Sequence, residues 1–232
     1  MLFITFYTAD YERPAQRLVK SCESARVQIE ATPYAKGGRT WRQIVQRKPR
    51  FIYERLIAHR FDQREIVWID ADSIVQKRPL PLEGLRADVA MRFWCNNESV
   101  IEPDRPVDIG PDTSKFEPMC GVIYLKNTRA VRAFAHRWMT ISEGFKPTTT
   151  RPDQKALRSA LQECKDIRCE ALPMSCCFLR RFWPHKSHPL CKEAYIAASR
   201  WPCRDVAECE NIAVKENEHR KNGTWVREDW EW

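Results

Sequence analysis

The stretch Ile66-Val-Trp-Ile69 runs straight into Asp70-Ala71-Asp72. Four apolar residues without polar alternation describe a strand covered on both faces, as in the centre of a sheet flanked by helices. Open sheets of that kind place ligands beyond the carboxyl ends of their strands, where Asp70 and Asp72 stand. Along an extended chain, alternation sends both carboxylates to one side, so their oxygens can converge on one hard divalent cation. A turn that caps backbone amides needs only one aspartate, so the pair argues for a metal over the turn reading.

The flanking periodicity fits an alternation of strands and helices. A strand over Leu2–Phe6 is followed by Thr8-Ala-Asp10 as a turn and helix start, and by a helix over 11–24 burying Ala15, Leu18, Val19 and Cys22. Val27 and Ile29 mark a second strand, and 33–40, with Gly37-Gly38, a loop. A helix over 49–60 turns Ile52, Leu56 and Ile57 inward and leads into the apolar strand. Beyond the break at Arg78-Pro-Leu-Pro81, strands fall at 88–93 and 120–125. A helix over 128–142 aligns Val131, Phe134, Ala135 and Trp138, and another starts at Pro152. This is the pattern of an α/β domain with a mostly parallel sheet.

The 232 residues suffice for one sizeable core, expected over 1–175, with an irregular Cys- and Trp-rich extension over 176–232. No apolar run approaches the roughly 20 residues of a membrane span. The opening residues lack the basic flank of an export signal, so a cytoplasmic protein is expected.

Against that frame the 39 Lys+Arg and 31 Asp+Glu leave +8, which favours an acidic partner: a nucleotide diphosphate, nucleic acid or an anionic glycan. With only seven glycines, the chain has neither GxGxxG nor GxxxxGK[ST], so no Gly-rich loop cradles phosphates. Mn²⁺ or Mg²⁺ on Asp70 and Asp72 would neutralise a diphosphate instead and stabilise it as it departs. Seven of the ten cysteines lie between Cys164 and Cys209, with His185 and His188 among them. No CxxC pair or standard zinc spacing occurs there, so reduced thiols are expected rather than structural zinc.

Four segments, in order, resemble the family 8 glycosyltransferases, the glycogenin and bacterial galactosyltransferase group, and related GT-A families. Thr5-Phe-Tyr-Thr8-Ala-Asp10-Tyr11 is similar to their first strand and nucleotide-binding turn. Tyr53-Glu-Arg55-Leu56 followed by Ile66-Val-Trp-Ile-Asp70-Ala-Asp72-Ser-Ile-Val75 resembles the approach to their DxD motif. Cys120-Gly121-Val-Ile-Tyr-Leu-Lys-Asn127-Thr128 resembles a later strand, and Pro152-Asp153-Gln154 with Leu157 a "DQ" segment.

The resemblance implies the Rossmann-like GT-A fold and transfer of a sugar from a nucleotide-sugar donor, typically a UDP-sugar, with retention of configuration, or with inversion if Asp153 acts as the base. It implies that Thr8, Asp10 and Tyr11 meet the base and ribose, with Ala71 and Gly121 lining the donor site. Arg55, or Lys48 as the alternative, would reach the diphosphate or sugar, and Asp153 and Gln154 would line the sugar pocket. Asp72 would bind metal, and Asp70 metal or ribose. Tyr11 as a core aromatic and Asp153 as a helix-start residue stay open as bland readings. The family's late His-x-x-Gly-x-Lys-Pro-Trp segment is missing, and His185 and His188 are the substitutes for the third metal ligand. The long polar stretch 94–118 and Arg180–Pro189 are the expected acceptor side. A basic nucleic-acid-binding protein without catalysis and a nucleotidyltransferase are the competing classes. A sugar delivered to a hydroxylated base in DNA would join the charge to the transferase.

Overall fold

The computed structural model describes residues 1–95, 107–108, 116–176, 178–179 and 196–198. In chain order its elements are β1 (Leu2–Tyr7), α1 (Glu12–Ser24), β2 (Ile29–Pro33), α2 (Trp41–Val45), α3 (Lys48–Ala58), β3 (Ile66–Ile69) and β4 (Ser73–Val75). There follow β5 (Val89–Cys95), β6 (Val107–Asp108), β7 (Phe116–Leu125), α4 (Arg129–Glu143), α5 (Pro152–Glu163), β8 (Cys169–Ala171), β9 (Phe178–Leu179) and β10 (Ile196–Ala198). The main sheet has the order β2-β1-β3-β7-β5-β8-β6, and a small one the order β4-β10-β9. In the main sheet β1 is parallel to β2 and β3, and β5 to β8, while β7 runs against β3 and β5 and β6 against β8. The sheet is thus mixed and mostly parallel, as the sequence pattern predicts.

Alternation along the strands divides the core into two layers. Leu2, Ile4, Phe6, Ile66, Trp68 and Ile123 face α3, α4 and α5, which contribute Ile52, Leu56, Phe134, Trp138 and Leu157. Phe3, Val67, Ile69, Val122 and Tyr124 face the other way, onto Leu18 and Cys22 of α1 and onto Leu82, Leu85 and Leu172. Every residue of β3 is buried, so the continuous apolar run is explained by cover on both faces. Each Leu, Ile or Phe removed from water in this way contributes about 1.5–3 kcal/mol before chain entropy is set against it.

Helix faces follow the expected stripes with small rotations. In α1 the buried set is Pro14, Ala15, Leu18 and Cys22, and Val19 is only half-buried. In α3 Phe51 joins Ile52 and Leu56 in the core, and Ile57 is half-buried. Helix α2 has no counterpart in the sequence reading; a Thr40–Gln43 capping box starts it, and Ile44 is its one buried anchor. Among the described residues no helix is long and apolar enough to cross a membrane. Strand β10 lies within the extension expected over 176–232 and pairs with β4, setting Ala198 opposite Ser73, the residue after Asp72.

Candidate active site

Three chain segments meet at the carboxyl end of β3. The strand delivers Asp70, whose amide still donates to the Gly121 carbonyl of β7 at 2.9 Å. The chain then leaves extended geometry: the Ser73 amide donates to the Asp70 carbonyl at 3.0 Å, closing a turn through Ala71 and Asp72. Asp70 and Asp72 are therefore arranged by a tight turn, not by the alternation of a continuing strand. Ala71 is buried in this turn and Asp72 half-buried.

The second segment is the start of α3, where Pro49 stands in the first turn, a place in which its missing N–H costs nothing. This turn carries Lys48, only 5% exposed. The third is the start of α5, again with a proline, Pro152, preceded by Arg151 at φ 50. A left-handed conformation is costly for a residue with a side chain, and here it sets the angle at which α5 presents Asp153. Trp138 of α4 adds a hold by donating its indole N–H to the Asp153 carbonyl at 2.9 Å.

Lys48 joins the three. Its Nζ lies 3.0 Å from Asp70 Oδ1 and 2.9 Å from Asp153 Oδ2, and donates to the Cys120 carbonyl at 3.2 Å. That carbonyl lies beside Gly121 where the β5–β7 register shifts between Met91 and Phe93, an interruption of the ladder of the kind that re-aims backbone groups near functional sites. The ammonium also stands 5.2 Å from the Trp68 ring centre. Trp68 precedes Asp70 by two residues on the same face, and its indole N–H donates to Asp70 Oδ1 at 2.9 Å.

Burial and charge oppose each other in this cluster. Burial pulls the Lys48 ammonium down, but Asp153 and Asp70 outweigh it and hold its pKa above the ordinary lysine value. Burial pushes the Asp70 carboxyl above the usual range, against the pull of Lys48. Burial first, and then the Asp153 carboxylate, hold the Cys120 thiol well above its usual value, so it stays a neutral thiol.

The remaining expected residues surround this centre unevenly. Thr8, buried, follows β1, and its carbonyl accepts from the Tyr11 amide at 2.8 Å, forming the single helical turn Ala9–Tyr11. Asp10 is half-exposed and pairs with Lys36 at 3.0 Å, which ties the β1–α1 turn to the β2–α2 connection. Gln154 donates to Glu117 Oε1 at 2.6 Å, and Arg151 lies 3.6 Å from the same oxygen. Arg55 is placed elsewhere: two turns along α3 from Lys48, it sits 3.6 Å from Glu30 of β2 and lies over the Phe51 ring. His185 and His188 fall outside the described residues. Sequence reading missed Trp68, Glu117, Lys36 and the Cys120 carbonyl; only Trp68 left a signal, by its two-residue spacing from Asp70.

Asp70 and Asp72 supply hard carboxylate oxygens that suit Mg²⁺ or Mn²⁺. Both described bonds to the Asp70 carboxylate fall on Oδ1, neither on Oδ2, and the side chain is 37% exposed. Oδ2 is therefore the Asp70 oxygen that a cation would use. Among the described residues no group of three His, Cys, Asp or Glu side chains is arranged to hold a metal, so such an ion would need further ligands.

The sequence matches no protein-family model and no curated protein. The fold, by contrast, is shared with solved glycosyltransferases. A glycosyltransferase involved in the glycosylation of the major capsid of PBCV-1 aligns with a TM-score of 0.61 at 12% identity, over 92% of this chain and 98% of that one. The galactosyltransferase LgtC, in complex with donor and acceptor sugar analogues, gives 0.55 at 13% identity over 99% of both chains. GlyE of Streptococcus pneumoniae TIGR4 gives 0.56 at 12% identity, over 99% of this chain and 65% of that one. The architecture is that of the GT-A glycosyltransferases.

Proposed function

We propose that this GT-A chain is a metal-dependent glycosyltransferase that moves a sugar from a nucleotide-diphosphate sugar, in the first instance a UDP-sugar, to an acceptor hydroxyl. The observation that carries the reading is the cluster at the end of β3. Asp70, with Oδ2 outside its bonds to Lys48 and Trp68, stands one lysine away from buried Asp153 at the start of α5. A cofactor cation and a sugar need such a pair of neighbouring acidic positions.

In this reading Asp70 and Asp72 hold Mn²⁺ or Mg²⁺, and His185 or His188 completes the set. The bound cation supplies Lewis-acid stabilisation of the diphosphate as it leaves. Thr8 and Tyr11, past the end of β1, face the base and ribose, with Asp10 fixing the neighbouring connection through Lys36. Ala71 and Gly121 line the donor site with their backbones. Gln154, oriented by Glu117, lies beside the sugar.

Asp153 is 6% exposed and its Oδ2 is held 2.9 Å from the Lys48 ammonium, so it is poorly placed to reach an acceptor hydroxyl. That supports a retaining transfer in which a diphosphate oxygen takes the acceptor proton and Asp153 contributes charge at the sugar. The +8 net charge favours an anionic acceptor, a glycan or DNA bearing a hydroxylated base. The protein acts in the cytoplasm in this reading.

The test is a screen of UDP-, GDP- and other sugar nucleotides for Mn²⁺-dependent thermal stabilisation, followed by donor hydrolysis. Asp72→Ala should keep the fold and lose turnover by about 10²–10³-fold, the scale on which removing preorganised charge stabilisation acts. Full hydrolysis in EDTA, or by the Asp72→Ala protein, would overturn the proposal.

A further inference from the structure

A lysine this deeply buried must have its charge matched, because an unpaired ammonium would deprotonate or destabilise the fold. Lys48 is matched completely. An ammonium has three N–H donors, and the structure offers three acceptors: Asp70 Oδ1 at 3.0 Å, Asp153 Oδ2 at 2.9 Å and the Cys120 carbonyl at 3.2 Å. No donor is left over for a phosphate, so Lys48 reaches the donor only through its partners. The two carboxylates belong to different elements, the end of β3 and the first turn of α5, and the lysine to a third. It therefore sets the separation between the turn that carries Asp72 and the helix that carries Asp153 and Gln154.

The same geometry bears on charge. Asp70 gives one carboxylate oxygen to Lys48 and the Trp68 indole, leaving the other for a metal. A divalent cation arriving there meets a fixed positive charge one carboxylate away, in a site with no complete set of protein ligands among the described residues. The diphosphate brings negative charge and oxygen ligands beyond those that the described residues supply.

We propose that Lys48 is a positioning residue that clamps Asp70 to Asp153 and, as a built-in competing cation, keeps the metal affinity of the free protein low, so that Mn²⁺ or Mg²⁺ enters together with the nucleotide diphosphate. This rests on Asp70 being a metal ligand, as in the function proposed above. Removing the ammonium leaves Asp70 Oδ1 with only its bond from the Trp68 indole and leaves two uncompensated carboxylates beside the turn. The free protein then binds the cation more tightly, while Asp153 loses the contact that fixes it.

The experiment titrates Mn²⁺ into the full chain with and without UDP, reading free Mn²⁺ by electron paramagnetic resonance, and measures donor hydrolysis in parallel. In the wild type, Mn²⁺ alone should bind weakly and UDP should strengthen it. Lys48→Met should bind Mn²⁺ without UDP at least about tenfold more tightly, a lower bound for removing one fixed charge a carboxylate away from the ion. Its kcat for hydrolysis should fall with donor KM little changed. Lys48→Arg, which keeps the charge, should retain the weak metal affinity. Should Lys48→Met not fold, Lys48→Met with Asp153→Asn removes the excess buried charge and should still bind Mn²⁺ more tightly than wild type. Unchanged or weaker Mn²⁺ binding in folded Lys48→Met overturns the role of Lys48 alone. A wild type that binds no Mn²⁺ even with UDP overturns the metal reading beneath it.

Discussion

Asn127 follows β7, in the segment that resembles the family's Asn-Thr motif, and its structural setting predicts a stability role. It is 3% exposed, and its side-chain amide donates to the Leu56 carbonyl at 3.0 Å and the His59 carbonyl at 2.9 Å. Those carbonyls belong to the C-terminal end of α3, where the last turn has no intrahelical donors of its own. Its Oδ1 accepts from Arg132 at 3.0 Å. Asn127→Ala removes three bonds, each worth about 0.5–1.5 kcal/mol net, and leaves a buried acceptor unsatisfied at about 1–3 kcal/mol more. The sum is about 2.5–7.5 kcal/mol, a Tm lower by roughly 5–30 °C for a chain of this size. Urea unfolding should show the loss at unchanged m-value, and donor KM measured well below the melt should not move. Asn127→Asp should be worse at neutral pH, because a carboxylate oxygen would face the two carbonyls. Its deficit should shrink as acid protonates that oxygen into a donor. A stability within about 0.5 kcal/mol of wild type, the usual range for surface changes, would refute the reasoning.

Three further outcomes are expected. Trp138→Phe removes the indole bond to the Asp153 carbonyl and part of a fully buried ring, and should cost about 1–3 kcal/mol with a larger effect on kcat than on donor KM; unchanged kcat would detach α4 from the site. Burial pushes the Cys22 thiol from 9.0 up to about 12, so the folded state favours the neutral thiol and its contribution, intact below about 9, is lost as pH rises towards 12. Cys22→Ala should therefore flatten the alkaline fall of the urea midpoint over that window; identical slopes would contradict it. Arg55→Gln should lower Tm slightly through Glu30 and Phe51 and leave donor KM unchanged, whereas a raised KM would return Arg55 to the donor.

The sheet and its helices were legible where one physical signal repeats. Burial on both faces forces β3 to be apolar throughout, and the amphipathic stripe Val131, Phe134, Ala135 and Trp138 can describe only a helix with one buried side. Short elements lack such repetition. Helix α2 holds through a cap and a single anchor, and β4 and β8, three residues each, exist because neighbouring strands complete their hydrogen bonds. The bridge between Asp70 and Asp153 was hidden for a related reason.

Residue type and local spacing by themselves determined that a strand ends in two carboxylates, that a helix begins at Pro152-Asp153, and that neither Gly-rich phosphate motif is present. They also gave the α/β class, since periodicity is a property of neighbours along the chain. Only the tertiary structure decided that Lys48 neutralises both Asp70 and Asp153, that Arg55 turns to Glu30, and that the aspartate pair is set by a turn. Ion pairing depends on distance through space and on exclusion of water, and neither follows from the order of residues until the helices are packed on the sheet.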